Sequence, residues 1–222
     1  MNETERVQKQ TRNEWLNDYF GNEKETEMAL NVSDKGGDFT QVPQGTHMAI
    51  SNMVVDLGLQ ETPFGNKQQL YIRWELPEER IAYEKDGVSH EGPLSIGAFF
   101  TASLNEKSNL RKVLEGWRGR AFTEQELKGF DVFNVLGVPC QVTVTHNEKG
   151  KARVSGVSGW PKGLEKPKGT ENKLVKYSSD DPEQYEELPD WLKEIIGKQL
   201  KPNAEWDRVG AEQAADLDSV PF

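Results

Sequence analysis

Apolar and polar residues alternate along segments in the first half of the chain. The segment 45–57 is rich in β-forming residues, and the segments 68–76 and 94–104 alternate between apolar and polar side chains. A period of two residues places successive side chains on opposite faces of a strand. Pro77 follows the second segment and is expected to end it, because proline cannot donate a hydrogen bond to a neighbouring strand. The pattern therefore predicts three strands.

The periodicity changes after the third strand. Apolar residues in the segment 106–117 recur at the 3.6-residue spacing of a helix. Thr123 and Glu126 form a capping box that predicts a second, shorter helix. Two more segments, 138–147 and 151–160, then predict a hairpin. The order of elements is therefore β-β-β-α-β-β.

Five short strands with a helical segment between the third and the fourth match the OB-fold, a small and partly open Greek-key barrel. The predicted fold class is mainly β: a five-stranded OB-fold barrel with a helical insertion between strands 3 and 4, plus short terminal helices. Another small barrel or sandwich with five or six strands and a helical insertion is the alternative that the pattern leaves open.

The two ends of the chain differ from this body in composition. The spacing of apolar residues predicts a short amphipathic helix near each end, one at 15–20 and one at 191–196 with Trp191 on its apolar face. Composition and pattern together predict four segments: an acidic N-terminal extension with a short helix (1–39), the OB-fold domain (40–163), a linker with an amphipathic helix (164–202) and a disordered acidic tail (203–222).

The composition of the chain excludes several classes of protein. The 222 residues carry a net charge of −10, and 35% of them are hydrophobic. No apolar run reaches the length of about 18 residues that a membrane span needs, and the first residues lack the apolar core of a secretory signal. A single cysteine, Cys140, can form neither an internal disulfide nor a thiolate zinc site. We therefore expect a reduced, cytoplasmic protein with no membrane partner.

The acidic charge is concentrated at the ends. Residues 40–170 contain 16 Lys and Arg against 15 Asp and Glu, whereas residues 1–39 contain 5 against 9 and residues 171–222 contain 6 against 13. A near-neutral body thus lies between two acidic ends. The net negative charge of the whole chain argues against nucleic-acid binding, but the near-neutral charge of residues 40–170 does not.

The sequence lacks the motifs of the common enzyme classes. His47, His90 and His146 are scattered, and no zinc-protease, phosphate-loop or serine-hydrolase motif is present. Cys140 alternates onto the apolar face of its strand, which favours a buried thiol over a nucleophile. We therefore expect no enzymatic activity, no catalytic residue, no metal site and no cofactor.

A binding site for single-stranded nucleic acid needs cations for phosphates and flat rings for bases. Tyr71 and Arg73 lie on the polar face of the second strand, and Phe99 is the only large apolar residue on the polar face of the third. Basic residues also gather in the predicted loops, with Lys112 beside Arg111. The alternatives left open are that terminal helices cover this face and that each cation is an ordinary surface residue. The predicted DNA contacts are Lys67, Tyr71, Arg73, Phe99, Lys107, Arg111, Arg118, Arg120, Lys149, Lys151 and Arg153.

The last seven residues combine aspartates with a terminal Pro-Phe. Asp216, Asp218, Pro221 and Phe222 offer a partner an apolar ring, a carboxylate at the chain end and nearby acids. This segment resembles the acidic tip of bacterial single-stranded DNA-binding proteins, which typically end in aspartates followed by Ile-Pro-Phe, although Val220 replaces the isoleucine here. The resemblance implies that these four residues bind replication or recombination proteins.

Five stretches of the body carry a second resemblance: 45–49 (GTHMA), 74–79 (WELPEE), 104–123 (LNEKSNLRKVLEGWRGRAFT), 129–137 (GFDVFNVLG) and 142–163 (VTVTHNEKGKARVSGVSGWPKG). They are similar to a family of phage and prophage proteins thought to be OB-fold single-stranded DNA-binding proteins. The resemblance implies a protein that binds single-stranded DNA with little sequence preference in the host bacterial cytoplasm. It transfers no individual DNA contact. A protein-binding OB adaptor without DNA binding is the alternative, and the sequence is compatible with a homo-oligomer.

Overall fold

A computed structural model describes residues 40–85, 87–179 and 182–200, all within one unit that begins at Thr40. The predicted helix at 15–20 and the predicted tail at 203–222 lie outside the described residues. The strands are β1 (Gly45–Thr62), β2 (Gly65–Lys85), β3 (Val88–Thr101), β4 (Pro139–His146), β5 (Ala152–Gly159) and β6 (Val175–Tyr177). The helices are α1 (Asn109–Arg118), α2 (Glu124–Leu127) and α3 (Asp190–Gly197), with 3₁₀ helices at Val132–Val135 and Pro182–Glu187.

Five strands form an antiparallel sheet in the order β3-β2-β1-β4-β5, and β6 pairs in parallel with residues 53–55 of β1. α1, α2 and the first 3₁₀ helix lie between β3 and β4, where the periodicity predicts a helical insertion. The edge strands β3 and β5 contact each other, but no ladder of backbone hydrogen bonds joins them in the described part of the chain. The mainly-β class is therefore confirmed, in the form of a six-stranded sheet that hydrogen bonds do not close.

The sheet is covered on both faces around β1 and β2. The first core joins Ile72 and Trp74 to Leu114 of α1 and to apolar residues of β3, β4 and β5. The second core joins Val55 and its neighbours on the opposite face to residues of β6 and α3. Because both faces of β1 are covered, its residues 49–55 are all buried. This double burial explains why the first segment is rich in β-forming residues without strict alternation.

The prediction that Pro77 ends the second strand is wrong. β2 continues to Lys85, paired with β3. A bulge between Leu76 and Arg80 shifts the register with β3, and no residue of β1 pairs with β2 beyond Glu75. Proline is tolerated at a bulge because the backbone there makes no ladder hydrogen bond.

The segment after β5 is fastened to the sheet, although its polar composition predicts a linker before the helix. β6 pairs with β1, the backbone N–H of Leu200 donates to the carbonyl oxygen of Leu59 (2.8 Å), and Gln60 Nε2 donates to the carbonyl oxygen of Ile195 (3.0 Å). We refer to residues 171–179 and 182–200 as the C-terminal strap. It covers the face of the sheet opposite to α1.

α1 packs closely against β5 at Gly116. A Cβ atom at this position would lie 2.5 Å from the carbonyl oxygen of Val157, which is inside van der Waals contact. We therefore expect Gly116→Ala to lower the free energy of unfolding by about 1–3 kcal/mol, the usual cost of overpacking, although alanine is the better helix former. Urea denaturation measures the change. Gly197→Ala in α3, where the added methyl group meets open space, is the matched control and should be neutral or slightly stabilising; equal destabilisation in both variants would contradict the close contact.

Candidate nucleic-acid interface

A groove of about 610 Å³ lies where the two edge strands of the sheet approach each other. Residues Gly97–Phe100 of β3 form one wall and residues 151–155, at the start of β5, form the other. Asn109, Lys112 and Val113, from the first turn of α1, complete the lining. We refer to this feature as the groove.

Among the residues that the structure describes, three cations line the groove and no Asp or Glu does. Lys112, Lys151 and Arg153 are exposed, and none of them forms an ion pair within the described residues. Ala152 and Val154 pack on the first core, so the alternation of β5 turns the two neighbouring cations away from it. An anion that enters the groove therefore meets positive charge without a competing carboxylate.

Three aromatic rings meet on the outer face of β3, and we refer to them as the ring cluster. Phe99 is 52% exposed and Trp191 of α3 is 44% exposed. Their ring centroids are 6.2 Å apart and their planes are inclined at 72°. Tyr71 contacts both, at 5.0 Å from Phe99 and 5.2 Å from Trp191. Phe99 belongs to the lining of the groove as well as to the ring cluster, so the two features are contiguous.

The structure buries Tyr71, which alternation predicts as an open stacking residue. Its side chain is 7% exposed, lies over Gly97 and packs into the second core beneath the C-terminal strap. Burial raises the pKa of its hydroxyl group. Tyr71 therefore supports the other two rings and offers no open face to a base. A terminal helix covers Tyr71, as the alternative interpretation anticipates, but leaves half of Phe99 exposed.

Arg73 belongs to a polar network beneath the C-terminal strap and does not line the groove. Its Nε donates to Oδ1 of Asn52 (3.0 Å), and Nδ2 of Asn52 donates to the carboxylate of Glu75 (3.5 Å). Glu75 also accepts from the backbone N–H groups of Glu171 and Asn172 (2.8 and 2.9 Å). Burial lowers the pKa of the Arg73 guanidinium, and this cation is engaged within the protein.

Arg118 is the last residue of α1 and Arg120 follows it, whereas the groove is lined by residues at the start of this helix. Both arginines pair with Glu126. Arg118 also lies over the rings of Phe122 and Phe130, at 4.3 and 5.3 Å from their centroids. Hydrogen bonds, first from Arg120, lower the pKa of Glu126 to about 2. Both predicted contacts therefore connect α1 to α2 and lie outside the groove.

The other predicted cations differ in their distance from the groove. Lys107 and Lys149 are exposed in the loop before α1 and in the β4–β5 turn, which lead into the groove lining. Arg111 pairs with Glu115 along α1 (2.9 Å). Lys67 is exposed on the β1–β2 hairpin. Of the predicted contacts, the groove therefore gathers only those on β3 and at the start of β5.

The described residues contain little that suggests a reactive site. Cys140 is buried, and burial raises the pKa of its thiol. His47 is held between Glu79 (2.9 Å) and the carbonyl oxygen of Pro43 (2.8 Å). Within 40–85, 87–179 and 182–200, no group of three or more His, Cys, Asp or Glu could hold a metal ion, and no helix is long and apolar enough to cross a bilayer. The predicted partner-binding residues Asp216, Asp218, Pro221 and Phe222 lie outside the described residues.

The sequence patterns do not single out Lys112 or Trp191 as contacts. Lys112 is one of several basic residues after β3, and the helical period that buries Leu110 and Leu114 is the signal that turns it outward. Trp191 shares the apolar pattern of α3, so only the tertiary structure reveals its exposure. Comparison of this chain with protein-family models, with curated proteins and with solved structures finds no match.

Proposed function

We propose that this protein binds single-stranded DNA with little sequence preference and performs no catalysis. The observation that carries the proposal is the groove: its lining includes Lys112, Lys151 and Arg153, which have no ion-pair partner among the described residues, and also Phe99, which is half exposed. Cations without acidic neighbours attract phosphates, and an exposed ring offers a stacking surface to any base. The resemblance to phage proteins extends the proposal to phage DNA replication or recombination, with the acidic tip recruiting partner proteins.

We further propose that the sheet is an OB-type barrel left open between β3 and β5. The strand order, the contact between these two edges and the packing of α1 against both strands support this interpretation. OB-folds bind oligonucleotides on the face of strands 2 and 3 and with the loops between strands 1–2 and 4–5. Phe99 on β3 and the cations Lys149 and Lys151 of the β4–β5 turn agree with this mode of binding.

The half-exposed ring favours a single strand over a duplex as the ligand. Bases in a duplex are stacked on one another, so a protein ring reaches a base face only after the base has left the stack. Phe99 can therefore stack on a single strand without the cost of unpairing. Because stacking is available to every base, the expected sequence preference is low.

Binding of a labelled oligo-dT to the full chain, followed by fluorescence anisotropy at several salt concentrations, tests the proposal. With three groove cations, we expect the logarithm of the association constant to fall against the logarithm of the salt concentration with a slope of about −2, since each phosphate neutralised on a single strand contributes about −0.7. A duplex of the same length should bind roughly tenfold more weakly. Absence of binding to oligo-dT, or binding that does not respond to salt, would rule the proposal out.

An adaptor that binds a protein instead of DNA is the second candidate, and an apolar cleft favours it. The cleft has a volume of about 320 Å³, and apolar residues such as Met48, Ile50 and Trp160 line it together with Glu78 and Glu165. Among the described residues, no cation lines this cleft. Burial of apolar surface in such a cleft depends little on salt. This candidate is supported if the full chain shows no affinity for oligo-dT at any salt concentration.

A further inference from the structure

Trp191 does not anchor its helix to the sheet, and nearly half of its surface is exposed. Leu192 and Ile196 of α3 are buried in the second core, at 0% and 4% exposure, and they anchor the helix to the sheet. Trp191 precedes them and leaves 44% of its surface in solvent, directly beside Phe99. A large ring that is half exposed next to a second half-exposed ring is a surface that can receive a planar ligand.

We infer that Trp191 is a base-stacking residue of the groove site, so that the ligand is a polynucleotide with unpaired bases and the C-terminal strap forms part of its binding surface. This inference rests on the proposed function. Phe99 joins the three groove cations to the ring cluster, so phosphates in the groove and a base on the rings can belong to one strand. The described lining of the adjacent groove carries positive charge and no carboxylate, which favours an anionic polymer over an apolar peptide.

Contacts on several sides fix the position of Trp191. Tyr71 meets its ring edge-on, with the ring planes at 86°. The strap that carries α3 is held at its start by Glu75, in its middle by β6 and at its end by the hydrogen bond from Leu200 to β1. A ring that is already positioned loses little conformational entropy when a base stacks on it. The C-terminal strap therefore presents Trp191 as a preformed surface.

Substitution of Trp191, read with two different probes, tests the inference. We expect Trp191→Ala to weaken binding of oligo-dT by the full chain roughly tenfold, within the range that alanine substitution of a stacking ring produces. Trp191→Phe should retain most of the affinity, because phenylalanine keeps a stacking face. With an abasic deoxyribose-phosphate oligomer of equal length, Trp191→Ala and the unsubstituted protein should bind alike, since only the phosphate contacts remain.

Tyr83→Ala is the matched control, because Tyr83 is 48% exposed and lies outside both the groove and the ring cluster. This variant should leave oligo-dT binding unchanged. Unaltered affinity of Trp191→Ala for oligo-dT overturns the inference while leaving the proposed function in place. An equal loss for oligo-dT and for the abasic oligomer also overturns it, because the effect would then be structural. If the unsubstituted protein binds neither probe, the proposed function itself is overturned.

Discussion

Reversing all three groove cations, as Lys112→Glu, Lys151→Glu and Arg153→Glu together, is expected to reduce the affinity for oligo-dT at least about 100-fold near physiological salt. An exposed ion pair contributes up to about 1 kcal/mol, and reversal replaces each attraction by a repulsion of similar size. At about 0.5–1 kcal/mol for each pair, three reversals change the binding free energy by roughly 3–6 kcal/mol, where every 1.4 kcal/mol is tenfold. Fluorescence anisotropy with labelled oligo-dT measures the loss, and the salt dependence should disappear with it.

The matched control carries Lys162→Glu, Lys166→Glu and Lys168→Glu. These three lysines are exposed and lie outside the groove, and their reversal changes the net charge by the same amount. Because none of these lysines lines the groove and salt screens exposed charges, the control should lose less than about threefold in affinity. If both triple variants weaken binding equally, the effect belongs to the net charge of the protein, and the groove is not the site.

The alternation of apolar and polar residues is clearest in the strands of this fold that have one buried face. β3 and β4 alternate because one side of each packs on the first core, and this period of two is visible in a single sequence. β6 cannot be predicted from the sequence, because it is three residues long and is surrounded by polar residues. The prediction that Pro77 ends the second strand is wrong because a bulge accommodates the proline. This bulge depends on the register of two paired strands, which a local sequence pattern does not show.

Some residues of the candidate site can likewise be predicted from the sequence, and others cannot. Phe99 can be predicted because strand alternation decides which way it faces, and Lys151 and Arg153 can be predicted because they are cations at the predicted hairpin. The burial of Tyr71 cannot, because the covering residue Trp191 comes from a strap that lies more than a hundred residues later in the sequence. The engagement of Arg118 cannot be predicted either, because only the folded structure shows that Phe122 and Glu126 contact its guanidinium. Sequence period sets the direction of a side chain, whereas tertiary contacts decide whether it remains available.

A buried carboxylate connects the sheet to the C-terminal strap. Glu75 is 0% exposed and accepts hydrogen bonds from the backbone N–H groups of Glu171 and Asn172, and from Asn172 Nδ2 at 2.6 Å. Asn52 and the Arg73 guanidinium lie on the same face of the sheet. A buried charge persists only where hydrogen bonds and opposite charge replace the lost water. The network is therefore satisfied only while the strap is in place.

Glu75→Ala is accordingly expected to lower the free energy of unfolding by about 3–5 kcal/mol, the usual result of removing one partner from a buried charged network. That amount is a large fraction of the roughly 5–15 kcal/mol that stabilises a typical domain. Urea denaturation gives the magnitude, and hydrogen exchange should show faster opening of the strap, residues 171–179 and 182–200, than of β4. Glu78→Ala, at an exposed position with no partner within the described residues, is the control and should change stability by less than about 0.5 kcal/mol. Similar stabilities for the two variants would mean that the carboxylate contributes nothing to the attachment of the strap, and that β6, α3 and the hydrogen bonds to β1 hold it.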